Sequence, residues 1–351
     1  MLVSVAFAVV LALQAPAGSG AQPAAAPSPS AEECLACHQE PGISKTLADG
    51  TTKTLQVDGT VVAHSRHAGK ATCVDCHPDA REVPHPEKAF ATARQFTVTM
   101  SETCQRCHFS DYRRTLDSAH AAAVKRGDLM APVCVDCHGS HDIQRPDQPR
   151  TKVADTCARC HEGVAKTYAG SVHGRDVARN IADVPTCTDC HRTHDIGGPH
   201  QAGWKTSTPE MCGRCHSDPE RMKKYGLSTA VLKTYATDFH GKTAALRKGS
   251  GDEGQAFVAL CTDCHGVHNI VRANDANSQV IQANLANTCR KCHAHASNNF
   301  PQAWLSHYEP SWQHSPAVYA VKLGYSVFIP FIIGGLILQM LLHLWRMAVN
   351  R

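Results

Sequence analysis

Every cysteine of this chain stands in a CxxCH. The 18 cysteines form nine pairs, each followed at once by a histidine. In order they are Cys34-Cys37-His38, Cys73-Cys76-His77, Cys104-Cys107-His108, Cys134-Cys137-His138, Cys157-Cys160-His161, Cys187-Cys190-His191, Cys212-Cys215-His216, Cys261-Cys264-His265 and Cys289-Cys292-His293. Two thiols at this spacing with an adjacent imidazole suit covalent attachment of a c-type haem. The thiols add across the porphyrin vinyl groups, and the histidine reaches the iron from the proximal side. A zinc ribbon has no need of a histidine after every pair, and a disulfide framework has no role for one. A thioredoxin-like redox motif occurs once in a βαβ context, not nine times. The expected cofactor is nine covalently bound haem c, and no catalytic residue is assigned.

A second set of histidines recurs beside the motifs. The stretch from Cys104 to His141 returns 53 residues later as Cys157 to His194, with both CxxCH motifs and both further histidines in register, the mark of an internal repeat. Four motifs carry Asp before the second cysteine (Asp75, Asp136, Asp189, Asp263) and four carry a base (Arg106, Arg159, Arg214, Lys291), in strict alternation. The first motif has Ala36 there and groups with the basic class by its acidic lead-in. The lead-ins of the basic class, Glu102-Thr103, Asp155-Thr156, Glu210-Met211 and Asn287-Thr288, read as helix starts. After each motif of that class a helix-like segment ends in a histidine: His67, His120, His173, His240 and His314. Tyr168 and Tyr235 stand five residues before theirs, and Tyr308 six before His314. After each Asp-class motif comes a nearer histidine: His85, His141, His194 and His268. The last three lie in CHxxH followed by Asp/Asn-Ile. Five and four make nine, one sixth ligand for each haem, so the expectation is bis-histidine iron that carries electrons and binds no substrate. Methionine, the rival ligand, recurs nowhere in the repeat; Met100, Met130, Met211 and Met222 are scattered. His64, His200, His295 and His307 are left over, with His307 an alternative to His314. Which distal histidine serves which iron is not readable. The Asp/base alternation would bias the potentials of neighbouring haems differently.

The elements that must position these residues follow from composition. Aromatics are 6% of the chain, with 24 Gly and 19 Pro, poor material for one protein core of this size. The porphyrins would supply the missing apolar mass, and the chain should not fold without them. The formal charge of +4 becomes about −5 once nine oxidised haems bring about +9 and 18 propionates −18. Nucleic-acid binding is excluded on that ground. Residues 1–21 read as a signal peptide, with an apolar run at 2–13 and a small-x-small site at Ser19-Gly20-Ala21; an uncleaved anchor is the alternative. Residues 22–31 form a disordered Pro/Ala/Ser linker, and residues 32–320 a nonahaem domain of two-haem repeats. The Gly-rich stretch Lys248 to Gln255 reads as a surface loop with a docking role. Residues 321–345 form a transmembrane helix, with Leu323 to Trp345 free of formal charge and long enough to span. Arg346 and Arg351 in the tail 346–351 put the C-terminus in the cytoplasm. His343 lies within the helix, either interfacial or at a partner's haem or quinone site. The fold class expected is mainly α and loop-rich, with little regular β.

The segments CTDCHGVHNI, CVDCHGSHDI and SVHGRDVA resemble those of multihaem c-type cytochromes, the group that includes the cytochrome c3-like and NapC/NrfH-like proteins. The resemblance covers about Glu32 to Pro316. It implies electron transfer through closely stacked haems in a mostly helical array. NapC/NrfH-like quinol oxidisers carry an N-terminal anchor, whereas the apolar segment here is C-terminal. That difference favours a relay on the periplasmic face of the cytoplasmic membrane, held by the membrane lipid through its helix. Its partners would be a membrane cytochrome b or other quinone-reactive subunit and periplasmic cytochromes or reductases. The rival is a multihaem reductase of nitrite, hydroxylamine or tetrathionate type, which needs one open haem.

Overall fold

The computed structural model describes residues 28–248, 258–304 and 307–350. The expected signal peptide, most of the linker and nearly all of the Gly-rich loop lie outside them. The described chain is helical and loop-rich. Its one sheet is a hairpin, Ser44–Thr46 paired antiparallel with Thr52–Thr54, Lys45 opposite Lys53.

The two motif classes differ because they lie at opposite ends of helices. Asp-class motifs open short helices of their own, Cys73–Cys76, Cys134–His138, Cys187–His191 and Cys261–His265. The Asp is then the third helical residue, and its carboxylate accepts the N–H of the residue before the first cysteine: Thr72, Val133, Thr186 and Leu260, at 2.6–2.9 Å. That satisfies one of the donors a helix start leaves open. Basic-class motifs instead close their helices, as in Thr151–Ala158, Thr208–His216 and Gln282–Arg290. A cation is favoured there by the helix dipole. Asp155-Thr156 and Asn287-Thr288 therefore lie in the later half of their helices and are not starts; the helices begin further back, where the chain leaves the preceding loop.

The distal-type histidines His120, His173 and His240 begin helices, contrary to the expectation that they end them. Each is the second residue of a short helix: Ala119–Lys125, Val172–Ala178 and Phe239–Lys248. Ser118, Ser171 and Asp238 cap these starts by accepting from the N–H of Ala121, Gly174 and Gly241 at 2.8–3.0 Å. His67 sits in a turn.

The protein interior is thin. Among the described residues the buried apolar side chains are Leu47, Val74, Ala131, Val153, Val177, Val184, Met222, Leu260 and Leu285, and no aromatic is buried. Polar clamps do the work between repeats. Arg94 holds both carboxylate oxygens of Asp136 at 2.9 Å and the carbonyls of Leu129 and Ala131. Arg150 repeats the pattern on Asp189 and the carbonyl of Val184. The last helix runs from Pro316 to Val349, 34 residues with mean hydropathy 2.2 in its most apolar window and none of that window buried. It is long and apolar enough to cross a membrane, and it starts five residues before the expected span.

Arg94→Ala should lower the unfolding free energy of the haem-loaded protein by about 2 kcal/mol, because a half-buried, charge-assisted pair is lost. Lys88→Ala, which breaks an exposed pair with Asp79, should cost less than about 0.5 kcal/mol. Guanidinium titration of both variants measures the difference.

Candidate metal centres

Each of the nine CxxCH histidines faces one other histidine ring. The pairs are His38–His85, His67–His108, His77–His141, His120–His161, His138–His194, His173–His216, His191–His268, His240–His293 and His265–His307, with ring centroids 5.9–6.4 Å apart. Two trans metal–nitrogen bonds of about 2.0 Å, plus roughly 1.1 Å from each nitrogen to its ring centre, span about 6.2 Å. The gaps therefore fit one iron each. Among the described residues no group of three or more His, Cys, Asp or Glu gathers as a metal site. Each pair thus needs its other donors from a bound group, as a porphyrin provides.

The pairing crosses between repeats. His141, His194 and His268 stand three residues after a CxxCH histidine, yet none faces that neighbour. They face His77, His138 and His191, the Asp-class histidines of the preceding repeat. In the other direction His67, His120, His173 and His240 face His108, His161, His216 and His293, each two motifs further on. The first motif, grouped by its lead-in with the basic class, pairs forward with His85 as an Asp-class motif does. His314 does not face a CxxCH histidine. It stacks on Tyr308 at 4.7 Å, and the ring opposite His265 is that of His307. No later CHxxH exists to serve His265, so the C-terminal segment supplies the ring instead.

Backbone and small residues aim these rings. The carbonyls of Ile143, Ile196 and Ile270 accept from Arg66, Ala119 and Val172 at 2.8–2.9 Å, the residues just before His67, His120 and His173. The Asp/Asn-Ile pairs after CHxxH are thus clamps on a histidine of the previous repeat. Gly174 and Gly241 follow His173 and His240 because a Cβ at either place would meet the carbonyl of Tyr168 or Tyr235. Those tyrosines donate their hydroxyls to Pro185 and Ala259 at 2.6 and 3.0 Å, ahead of the next Asp-class motif. His38, His85 and His191 have Nδ1 within 2.6–2.9 Å of the carbonyls of Leu55, Glu82 and Gly197, which leaves Nε2 for a metal. Burial disfavours the charged imidazole at His77, His120, His138, His141, His216, His265, His268 and His307. At His173 burial, with His216 adding to it, brings the pKa down to about 4. The neutral ring is the form that ligates.

Consecutive motifs touch, and the contact alternates. The first cysteines lie close enough to influence one another at Cys34/Cys73, Cys104/Cys134, Cys157/Cys187 and Cys212/Cys261; these sulfurs stand where thioethers would form. At the junctions between, Cys76 feels Cys107, Cys137 feels Cys157, Cys190 feels Cys215 and Cys264 feels Cys289. Arg106, Arg159 and Arg214 bridge three of these, each donating to the carbonyl of the preceding motif's Asp: Asp75, Asp136 and Asp189. Lys291 bonds the Gln279 side chain instead. The alternation expected to tune potentials is, structurally, a helix cap followed by a latch. Arg175, Arg179 and Arg272 line a cleft of about 220 Å³ beside His173 together with Asp176, which pairs with Arg179; three cations to one carboxylate leave room for a further carboxylate. The Arg150 and Trp304 donors that are buried without a protein partner suit the same chemistry. Nothing in the sequence pattern marked Arg94 or Arg150, since an arginine ahead of a helix is unremarkable until its partner is known.

Residues 128–217, about a quarter of the chain, match the family model described as cytochrome c3. The match spans the four CxxCH motifs from Cys134 to His216. That stretch is similar to cytochrome c3. The match supports a multihaem c-type cytochrome of electron transfer, with covalently bound haem c. No curated protein and no solved structure matches the chain.

Gly174→Ala should push His173 off the His216 axis and leave one haem high-spin by EPR. Gly163→Ala, at a helical glycine with open space around it, should leave the spectrum unchanged.

Proposed function

We propose that this chain is a membrane-anchored nonahaem cytochrome c. It would relay electrons between the quinone pool, reached through a cytochrome b or other quinone-reactive subunit, and periplasmic acceptors. The observation that carries the reading is the set of nine opposed histidine pairs, one member of each fixed in a CxxCH. When bound, haem c supplies one-electron chemistry, its iron cycling between ferric and ferrous. The chain's part is to hold each ring pair at the separation one iron needs. The cysteine contacts and arginine latches then keep successive motifs in a single file, in chain order. Two imidazoles per site leave no coordination position for a substrate, which speaks against the reductase alternative. Low potentials are expected, since no methionine thioether stands in the pairs.

The anchor reading rests on the exposed, apolar helix from Pro316. Arg346 near its end favours a cytoplasmic C-terminus by the positive-inside rule, which leaves the haem domain on the periplasmic face. The ninth motif and His307 lie closest to it in sequence, so the C-terminal end of the file is the natural point of exchange with a membrane partner.

Mass spectrometry of the purified protein should find nine haems per chain. Low-temperature EPR should show only low-spin ferric signals, unchanged by nitrite or hydroxylamine, and the reduced protein should not bind CO. Fewer than nine haems, or one high-spin haem that takes a small ligand, would overturn the reading.

A further inference from the structure

We propose that His314 is an axial ligand supplied in trans, closing the iron of a separate membrane-associated haem protein whose sixth position is open. This rests on the bis-histidine reading above and extends it to the partner. The four helix- and turn-borne histidines His67, His120, His173 and His240 follow motifs one, three, five and seven. They face the CxxCH histidines of motifs three, five, seven and nine. His314 is the fifth of that series, following motif nine, and none of the nine CxxCH histidines is left for it, since each already faces another ring. A second copy does not offer one either, because all nine CxxCH histidines already face a ring of their own chain. We place the iron it would close in another protein.

The surroundings of His314 suit that use. Its ring is exposed, held flat on Tyr308 with 23° between planes, and its backbone N–H donates to Ser311 Oγ at 3.2 Å. Glu309 ties this segment to the haem domain through Lys233 at 2.6 Å. Tyr308 and Trp312 leave 53% and 61% of their surface exposed beside it, an apolar rim for the edge of a porphyrin. Pro316, two residues on, begins the apolar helix, so the ring stands next to the candidate membrane span. A partner iron there would exchange water for an imidazole nitrogen lone pair, with no change in electron count.

The test uses native membranes carrying the full chain and CO as the probe, with the isolated protein as control. In membranes, His314→Ala should expose about one additional CO-binding haem per chain, closed again by added imidazole. His314→Met, which retains a ligating side chain, should keep it closed. In the isolated protein His314→Ala should leave all nine haems low-spin, whereas His307→Ala should open one. No new CO-binding haem in the His314→Ala membranes would overturn ligation in trans. A haem opened by His314→Ala in the isolated protein would overturn it too, by showing a ligand in cis. Failure of His307→Ala to open a haem would instead count against the pairing on which the proposal rests.

Discussion

The opposed imidazole pair is the interaction on which this fold depends, and its force comes from being non-local. No CxxCH histidine faces the histidine nearest to it in sequence. Each pair ties a motif to a segment from another repeat, so the array is stitched together wherever two rings meet. With nine buried apolar residues among those described, each worth at most about 1.5–3 kcal/mol, protein packing alone is a weak constraint. Ordering a residue costs about 1–2 kcal/mol of backbone entropy. Coordination across the ring gaps, and apolar porphyrin between the helices, are what would offset that cost. Structural metal sites show the same dependence of folding on binding.

Around each pair the chain uses short polar devices in place of a core. An Asp carboxylate caps the helix that begins with its cysteines, and the carbonyl of the same Asp receives an arginine from the next motif. Asp136 and Asp189 do both, and each also accepts a second arginine from the preceding repeat, Arg94 or Arg150. One residue therefore fixes the start of a helix and the spacing of its neighbours on both sides. Contacts of this kind reach only from one repeat to the next, as in solenoids, which accounts for a single file of motifs with little tertiary crossing.

The first and last pairings of the file depart from the rule. At the beginning, His38 takes His85, from a Pro-rich loop, where later repeats use CHxxH. Near the end, His265 has no following CHxxH and takes His307. His314 is left over, at the foot of the apolar helix, where the array meets whatever lies beyond it.

Local spacing by itself determined much of this protein. Two thiols and a histidine within five residues can be read without any fold, because attachment chemistry is confined to one turn. The 53-residue register, the Asp/base alternation and the apolar C-terminal run are likewise properties of short segments. What only the tertiary structure decided is everything that joins segments. His141 stands three residues from His138 and yet belongs opposite His77, and no spacing argument could say so. His314 was the expected ligand and His307, seven residues before it, the alternative; in space it is His307 that faces His265. Asp189 and Arg214 read as opposite charges that would tune potentials; in space they are a cap and a latch, because a helix start and a helix end meet there. Arg94 and Arg150 had no signal at all, and the recurring Asp/Asn-Ile showed no role, since a clamp is defined by its partner and the partner lies in another repeat.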